Sequence, residues 1–348
     1  GPRHPAAFVR AAMAVRAHTL AHGGSGVDPA LVELLIRMLE ARIHPVVHEL
    51  GGVGASGDLV ELAHVALATL GEGMVEVDGH DQPAAAALSR AGLVPIIPRH
   101  REVLATMNGT SFHTGVAALL SVRAQRVLEA AVAAAALHFE AQAGHPEALD
   151  TALHAARPHP SQVEIGARLR ELTAGSRLTR DGEPASSSQD PYSIRCIPQI
   201  LGPAATTILR VLGVVGTEIA SITDNPLFLP AEGRVLHGGN FHGQPVAAAL
   251  DELKMALVEI GLASERRVAR ILDVKRSLGL PPFLVRGEPG LDNGFMGLQY
   301  AASSMAAPIS PPSPRTSRST PAPSRMAAIS ASSPPTRWSS RSPMPPSP

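Results

Sequence analysis

Apolar residues recur at helical spacing along most of the chain. Val9, Met13 and Leu20 share one face of the first predicted helix with Arg16, and Asp28–Pro29 forms an N-cap and first-turn proline that open the second. Two short apolar runs, 74–77 and 94–97, read as strands. The predicted helices cover 6–22, 28–42, 58–70, 109–142, 191–224 and 244–278. Patterns of 30 or more residues exceed the usual globular helix, so the sequence predicts a mainly α fold built around a long central antiparallel bundle.

The composition supports a large aliphatic core. Of 348 residues, 45% are hydrophobic and only 3% aromatic, so Ala, Leu, Val and Ile must fill the interior. The formal net charge is zero, which gives no reason to expect a nucleic-acid or anionic-membrane partner. A single cysteine, Cys196, excludes an internal disulfide and fits a cytoplasmic location. The apolar stretches read as too short or too interrupted to span a bilayer.

The histidines do not suggest a metal site. His64, His113, His237 and His242 lack the spacing and the acidic third ligand of a zinc site, so we expect no metal and treat them as packed or solvated side chains. Cys196 is expected to be structural.

The statistics change abruptly near residue 303. Residues 303–348 hold 12 Pro, 14 Ser and five Arg but no Asp, Glu or Gly, which predicts a disordered or out-of-frame tail. Helical patterning begins almost at once after Gly1, which suggests that the chain starts inside a longer protein. We therefore divide the chain into an N-terminal region (1–108), a long-helix bundle (109–302) and the tail (303–348).

The glycine-rich stretch 51–58 allows two interpretations. Gly52, Gly54 and Gly57 match the dinucleotide fingerprint G-x-G-x-x-G, and Asp78 follows about 20 residues later. A dinucleotide-binding oxidoreductase, however, needs alternating strands and helices, whereas long helices follow here.

The second interpretation is chemical. The Gly57 nitrogen can attack the Ala55 carbonyl, and the loss of two waters converts Ser56 into a methylidene, giving 4-methylidene-imidazol-5-one (MIO). Serine supplies the hydroxyl that is eliminated, and glycine lets the backbone close without a Cβ clash. Asp58 then begins a helix whose N-terminus lies beside the electron-accepting group.

Several further motifs, which follow one another in a fixed order along the chain, support the chemical interpretation of the Ala55–Ser56–Gly57 triplet. They are 52–59 (GVGASGDL), 108–111 (NGTS), 189–196 (QDPYSIRC), 223–226 (TDNP), 237–244 (HGGNFHGQ), 279–284 (GLPPFL) and 294–297 (GFMG). Together, over residues 6–302, they resemble the MIO-dependent ammonia-lyases and aminomutases that act on histidine, phenylalanine and tyrosine. The resemblance implies the helical ammonia-lyase/fumarase-like fold, a homotetramer with active sites shared between subunits, no external cofactor, and elimination of ammonia from a small aromatic amino acid.

The resemblance also implies residue roles. Ala55, Ser56 and Gly57 form MIO, and Arg195 binds the substrate carboxylate as a bidentate fork. The other implied site residues act on the MIO carbonyl or the carboxylate (Asn108, Asn225), in acid/base chemistry or MIO contact (Tyr192), or as pocket lining (Gln189, Phe241).

The chain departs from the family pattern in ways that leave its function open. The family's general base is a tyrosine well upstream of the triplet, and no Tyr precedes Ala55 here; absence of that group lowers the rate about 100- to 10,000-fold. We expect weak or no activity from this polypeptide and activity from the longer protein. The 2,3-aminomutase and a catalytically inactive structural subunit remain alternatives, with the NAD enzyme third. The motifs lean mildly toward tyrosine and phenylalanine enzymes.

Overall fold

The computed structural model describes residues 1–179, 189–288 and 290–306, and the described chain is mainly helical. Residues 307–348, which include most of the expected tail, lie outside the described residues. The α-helices are α1 (Ala6–Ala21), α2 (Pro29–Glu40), α3 (Leu59–Thr69), α4 (Ala84–Arg90), α5 (Glu102–Met107), α6 (Ser111–Ala141), α7 (Thr151–Ala155), α8 (Pro160–Leu172), α9 (Tyr192–Arg195), α10 (Ile197–Ile219), α11 (Gln244–Leu272) and α12 (Met296–Ala306).

The strands are short, and all those described pair antiparallel. They are β1 (His44–Pro45), β2 (Met74–Val77), β3 (His80–Pro83), β4 (Leu227–Leu229) and β5 (Arg234–Leu236). One sheet has the order β1-β2-β3, and β4 pairs with β5. The strand expected at 94–97 is wrong: Val94 and Ile97 are about 80% exposed, and the segment has no ladder partner. Without a parallel sheet in the described chain, the dinucleotide-binding interpretation loses its structural basis.

Three long helices form the central bundle and bury one continuous core. Helices α6 and α11 both have their N-termini at the end of the bundle that contacts the Ala55–Ser56–Gly57 triplet, called the triplet end below. Helix α10 runs antiparallel to them, and α8 packs against α10. The core is aliphatic, with Leu201, Ile208 and Val211 of α10 at its centre. Helix α10 is long and apolar enough to cross a membrane by composition. Its buried positions contact α6, α8 and α11, so core packing accounts for part of its hydropathy.

A second core joins the N-terminal region to the bundle. Residues of α1, α2, α3 and the small sheet pack together, and α1 lies along α6. The two helix backbones approach closely at Gly115, where an added Cβ would lie 2.5 Å from the Ala12 nitrogen. The region 1–108 is thus packed directly on the bundle.

Several element boundaries differ from the prediction. The helix expected over 191–224 is divided at Cys196, one residue before α10 begins, and it ends at Ile219. Pro203 is accommodated inside α10. Helix α11 ends at Leu272 rather than 278, and α12 continues to Ala306, past the boundary that we placed at 302.

Candidate functional site

The Ala55–Ser56–Gly57 triplet lies in the loop that leads into α3, between two helix N-termini. The Ser56 side chain is buried, and Gly57 adopts φ +80°, a left-handed conformation that favours glycine. The Gly243 N–H, at the start of α11, donates to the Ala55 carbonyl oxygen at 3.0 Å. A Cβ on Gly52 would lie 2.5 Å from the Gly57 oxygen. The loop is therefore folded tightly on itself, with its first carbonyl polarised by a backbone donor.

The Asp58 carboxylate lies next to the triplet and binds the N-terminus of α6. It is 3% exposed and accepts hydrogen bonds from the Phe112 N–H at 2.8 Å and from the His113 N–H at 3.2 Å. Asp58 begins α3 as expected, but its side chain caps the N-terminus of α6 instead of its own helix.

His113 forms the second half of this arrangement. Its Nδ1 lies 2.8 Å from Asp58 Oδ1, and the imidazole is largely buried. Burial alone lowers the pKa of His113, but the charge and hydrogen bond of Asp58, with smaller contributions from Glu218 and Glu61, outweigh burial and raise the pKa above its ordinary value. The pair places beside the triplet an imidazole that binds a proton more readily than a free histidine does.

Asn108 and Asn225 meet close to the triplet end of the bundle. The Asn108 amide donates to Asp224 Oδ1 at 2.7 Å and to the Asn225 carbonyl at 3.1 Å. Asn225 Oδ1 accepts from the Gly238 N–H at 2.8 Å, and the Asn225–Pro226 peptide is cis. Arg101 donates to the Asn225 carbonyl at 2.9 Å. The two asparagines that the motifs predicted to share a site therefore do lie together.

A buried arginine, Arg16 of α1, packs beside the loop that follows Asn108. Arg16 is fully buried and donates to Ser111 Oγ at 3.3 Å and to the Ala105 carbonyl. Burial lowers its pKa to about 10, and the nearby Asp224 and Asp58 oppose that effect. A Cβ on Gly109 would lie 2.3 Å from Arg16 Nη1, so the loop after Asn108 has room only for glycine there.

Gln189, Tyr192 and Arg195 form a separate group. The Arg195 guanidinium lies 4.9 Å from the centroid of the Tyr192 ring and donates to Gln189 Oε1. Tyr192 is 69% exposed. Tyr192 borders a cavity of about 680 Å³ that is lined also by Arg266 and Arg270 of α11.

The two groups lie at opposite ends of α11. Gly243 at the start of the helix contacts the triplet, whereas Arg266 and Arg270 near its end border the Tyr192 cavity. At 1.5 Å per residue, the 27 residues from 243 to 270 span about 40 Å. Within one chain, then, Ser56 and Arg195 are too far apart to contact one substrate molecule.

Phe241 lies in the loop before α11 and is half-buried, so its place is at the triplet end. A second cavity of about 400 Å³ lies there, lined by Glu218, Thr223, Asn240 and His242 among others.

Two residues whose place at the triplet the sequence analysis missed are His113 and Gly243. His113 read as an ordinary packed histidine, because its partner Asp58 is 55 positions away and only the fold brings them together. A usable signal was available: Asp58 directly follows the triplet, and a buried carboxylate there needs donors from another element. In the part of the chain that the structure describes, no three His, Cys, Asp or Glu side chains converge as a metal site.

Comparisons with known proteins bear on the whole arrangement. The family model described as Aromatic amino acid lyase matches residues 1–326. A histidine ammonia-lyase from Geobacillus kaustophilus is 47% identical over 298 residues, which cover 85% of this chain and 58% of that protein. The solved structure of tyrosine aminomutase from Streptomyces globisporus superposes with a TM-score of 0.83 at 36% identity, covering 94% of this chain and 65% of that one.

A histidine ammonia-lyase from Trypanosoma cruzi superposes with a TM-score of 0.81 at 34% identity, over 89% of this chain and 58% of that one. The chain thus spans about three fifths of the length of the curated relatives that it matches. The helical fold is that of the ammonia-lyases and aminomutases, as the sequence predicted. With a family model matching most of its residues and relatives above 40% identity, the chain belongs to the aromatic amino acid lyase family.

Proposed function

We propose that this chain carries the electrophile-forming part of an aromatic amino-acid ammonia-lyase, a carbon–nitrogen lyase that converts an aromatic α-amino acid into ammonia and an aryl acrylate. The observation that carries the proposal is the triplet itself, held between the N-termini of α3 and α11 with the Gly243 N–H on the Ala55 carbonyl. Because the chain spans only part of its relatives, the activity of the whole enzyme is part of the proposal.

The residues present fit MIO. The Ala55 carbonyl, which must be attacked, already accepts a hydrogen bond, and Gly57 adopts a positive φ that a residue with a Cβ rarely tolerates. Once formed, MIO supplies an electrophilic carbon without a metal or external cofactor. The residues around it bury the Ser56 side chain, hold the loop through Asp58 and place partial positive charge beside the triplet from the N-termini of α3 and α11.

The substrate carboxylate requires a cation, and the resemblance assigns this role to Arg195. Arg195 and Tyr192 have that chemistry, but they lie about 40 Å from the triplet along α11. We propose that a second copy supplies them, so that the active site forms only in a homotetramer. Exposed apolar side chains on the outer faces of the bundle, such as Leu137, Leu209 and Met255, support self-association.

The motifs and the curated relatives point to different aromatic amino acids. The motifs lean toward tyrosine and phenylalanine, whereas the curated relatives with 41–47% identity are histidine ammonia-lyases. The solved relatives include tyrosine and phenylalanine aminomutases, which keeps the 2,3-aminomutase as the second candidate function. We place the enzyme in the cytoplasm, in keeping with its single free cysteine.

Two experiments test the proposal. The first incubates the purified chain with L-His, L-Tyr and L-Phe and follows the aryl acrylate by absorbance, free ammonia enzymatically and any β-amino acid by chromatography; Ser56→Ala is the control that cannot form MIO. Product with the parent and none with Ser56→Ala supports the lyase, and a β-amino acid without ammonia supports the aminomutase. Absence of every product refutes activity in this chain and leaves the structural-subunit alternative.

The second experiment tests the shared site. Ser56→Ala and Arg195→Ala are each expected to be inactive, but their co-expression should restore turnover, because some sites in a mixed tetramer combine an intact triplet with an intact Arg195. If the parent is active and the mixture is not, the composite site is wrong.

A further inference from the structure

Gly243 marks a point where two groups approach each other with no side chain between them. A Cβ on Gly243 would lie 2.8 Å from the Ser56 carbonyl oxygen, 2.7 Å from His113 Cε1 and 3.0 Å from His113 Nε2. The edge of the imidazole and the Ser56 oxygen therefore face the same methyl-sized space.

The ring nitrogen on this side is available. Asp58 occupies Nδ1 of His113, whereas Nε2 is buried and has no hydrogen-bond partner among the described residues. A protonated imidazole donates from both nitrogens, and the second nitrogen borders the gap at Gly243 that the Ser56 carbonyl oxygen also faces. A buried donor without an acceptor is unfavourable, which favours a partner there.

The chemistry of the triplet shows why this oxygen matters. Cyclisation consumes the Ala55 carbonyl oxygen and the Ser56 hydroxyl, but it keeps the Ser56 carbonyl, conjugated to the new methylidene carbon. Electron density added at that carbon moves onto this oxygen, so a positioned cationic donor nearby acts where charge develops.

We propose that His113, fixed by Asp58, is the cationic donor that faces the Ser56 carbonyl oxygen and stabilises negative charge on it. The inference rests on the proposed function, which supplies the reason for charge at that atom. Asn108, which the family resemblance assigns to this carbonyl or to the substrate, has its amide donors on Asp224 and Asn225 instead.

The charged groups around His113 come from three elements. Asp58 lies directly before α3, Glu61 lies on α3 and Glu218 lies on α10, and all three favour the protonated ring. Arg16 of α1 bonds to Ser111, near the base of the same helix turn. The balance of these groups favours a cation at His113.

The first test compares the absorbance of the cyclised triplet in the parent and in His113→Leu and His113→Gln. Peptide mapping establishes in each protein that two waters have been lost between Ala55 and Gly57. A cation at the carbonyl oxygen shifts the band of a conjugated carbonyl to longer wavelength, so His113→Leu should move it to shorter wavelength, with His113→Gln between. An unchanged band in a dehydrated His113→Leu protein overturns the proposal.

The second test does not depend on cyclisation. The pKa of His113 is measured by NMR in the parent, in Gly243→Ala and in Asp58→Asn, with histidine labelled with nitrogen-15 and the signal assigned by its loss in His113→Gln. We expect an elevated pKa in the parent, a lower one when a methyl separates the ring from Ser56, and a large fall in Asp58→Asn. A pKa that is the same in Gly243→Ala and the parent overturns the contact. If the parent keeps both waters, the proposed function fails, and this titration alone decides the contact.

Discussion

Asp58→Asn is the substitution whose effect can be worked out most fully from the structure. The change keeps the size of the side chain but removes its charge and replaces one acceptor oxygen with a donor. In the parent, the carboxylate accepts from the Phe112 N–H, the His113 N–H and His113 Nδ1, and it is 3% exposed.

The expected loss in the free energy of unfolding follows from these contacts. Hydrogen bonds to a charged group contribute roughly 1.5–3 kcal/mol each, and an anion at a partly buried helix N-terminus up to about 2 kcal/mol. These terms overlap because one carboxylate makes them all, so we expect a loss of about 3–5 kcal/mol in the free energy of unfolding, the range for breaking a buried ion pair.

The assay is urea unfolding followed by circular dichroism at fixed protein concentration. Asp28→Asn is the matched control: Asp28 is an exposed N-cap that accepts from Ala30 N at 2.9 Å, and asparagine caps equally well. A loss below about 1 kcal/mol for Asp58→Asn, the level of an ordinary surface cap, would refute the assigned role of this carboxylate.

Three further predictions concern packing and pH. Gly213→Ala in α10, where an added Cβ meets nothing within 4 Å, should stabilise the protein by about 0.5–1 kcal/mol, whereas Gly115→Ala should destabilise it by about 1–3 kcal/mol because the Cβ meets the backbone of Ala12; paired urea titrations check both, and equal effects would contradict the packing. The pKa of His113 is raised, so its contribution to stability is complete below about pH 6.5 and is lost as the pH rises through the folded value; the difference in unfolding free energy between the parent and His113→Gln should shrink over that window, and a flat difference would refute the pairing with Asp58. His138 behaves oppositely, because burial, with the nearby arginines, lowers its pKa to about 4. The free energy of unfolding should therefore fall as the pH is lowered from about 6.5 to 4. His138→Gln should remove part of that fall, by at most about 3 kcal/mol.

The sequence predicted the helical architecture well because the long elements carry unambiguous patterns. The bounds of α1 and α6 differ from prediction by one or two residues, since uninterrupted apolar spacing leaves few alternatives. The errors lie where tertiary contacts decide. The run 94–97 has strand-like composition, but Val94 and Ile97 are exposed and no neighbouring strand pairs with the run.

Residue types and motif order allowed a candidate site to be predicted, but they did not give its geometry. Motif order identified the triplet, Asn108 and Arg195, yet it carried no distances, so the separation of Arg195 from Ser56 along α11 became visible only in the fold. The link between Asp58 and His113 also depends on α3 and α6 meeting at their N-termini, which no local pattern encodes.

The most direct test of the central claim is peptide mapping by mass spectrometry across Ala55–Gly57 in the purified chain, with Ser56→Ala as the control. The account predicts a peptide lighter by two water molecules in the parent, with the loss located at the triplet, and an unmodified peptide in the control. A parent peptide of unmodified mass would contradict the claim that this fold, as it stands, builds its own electrophile.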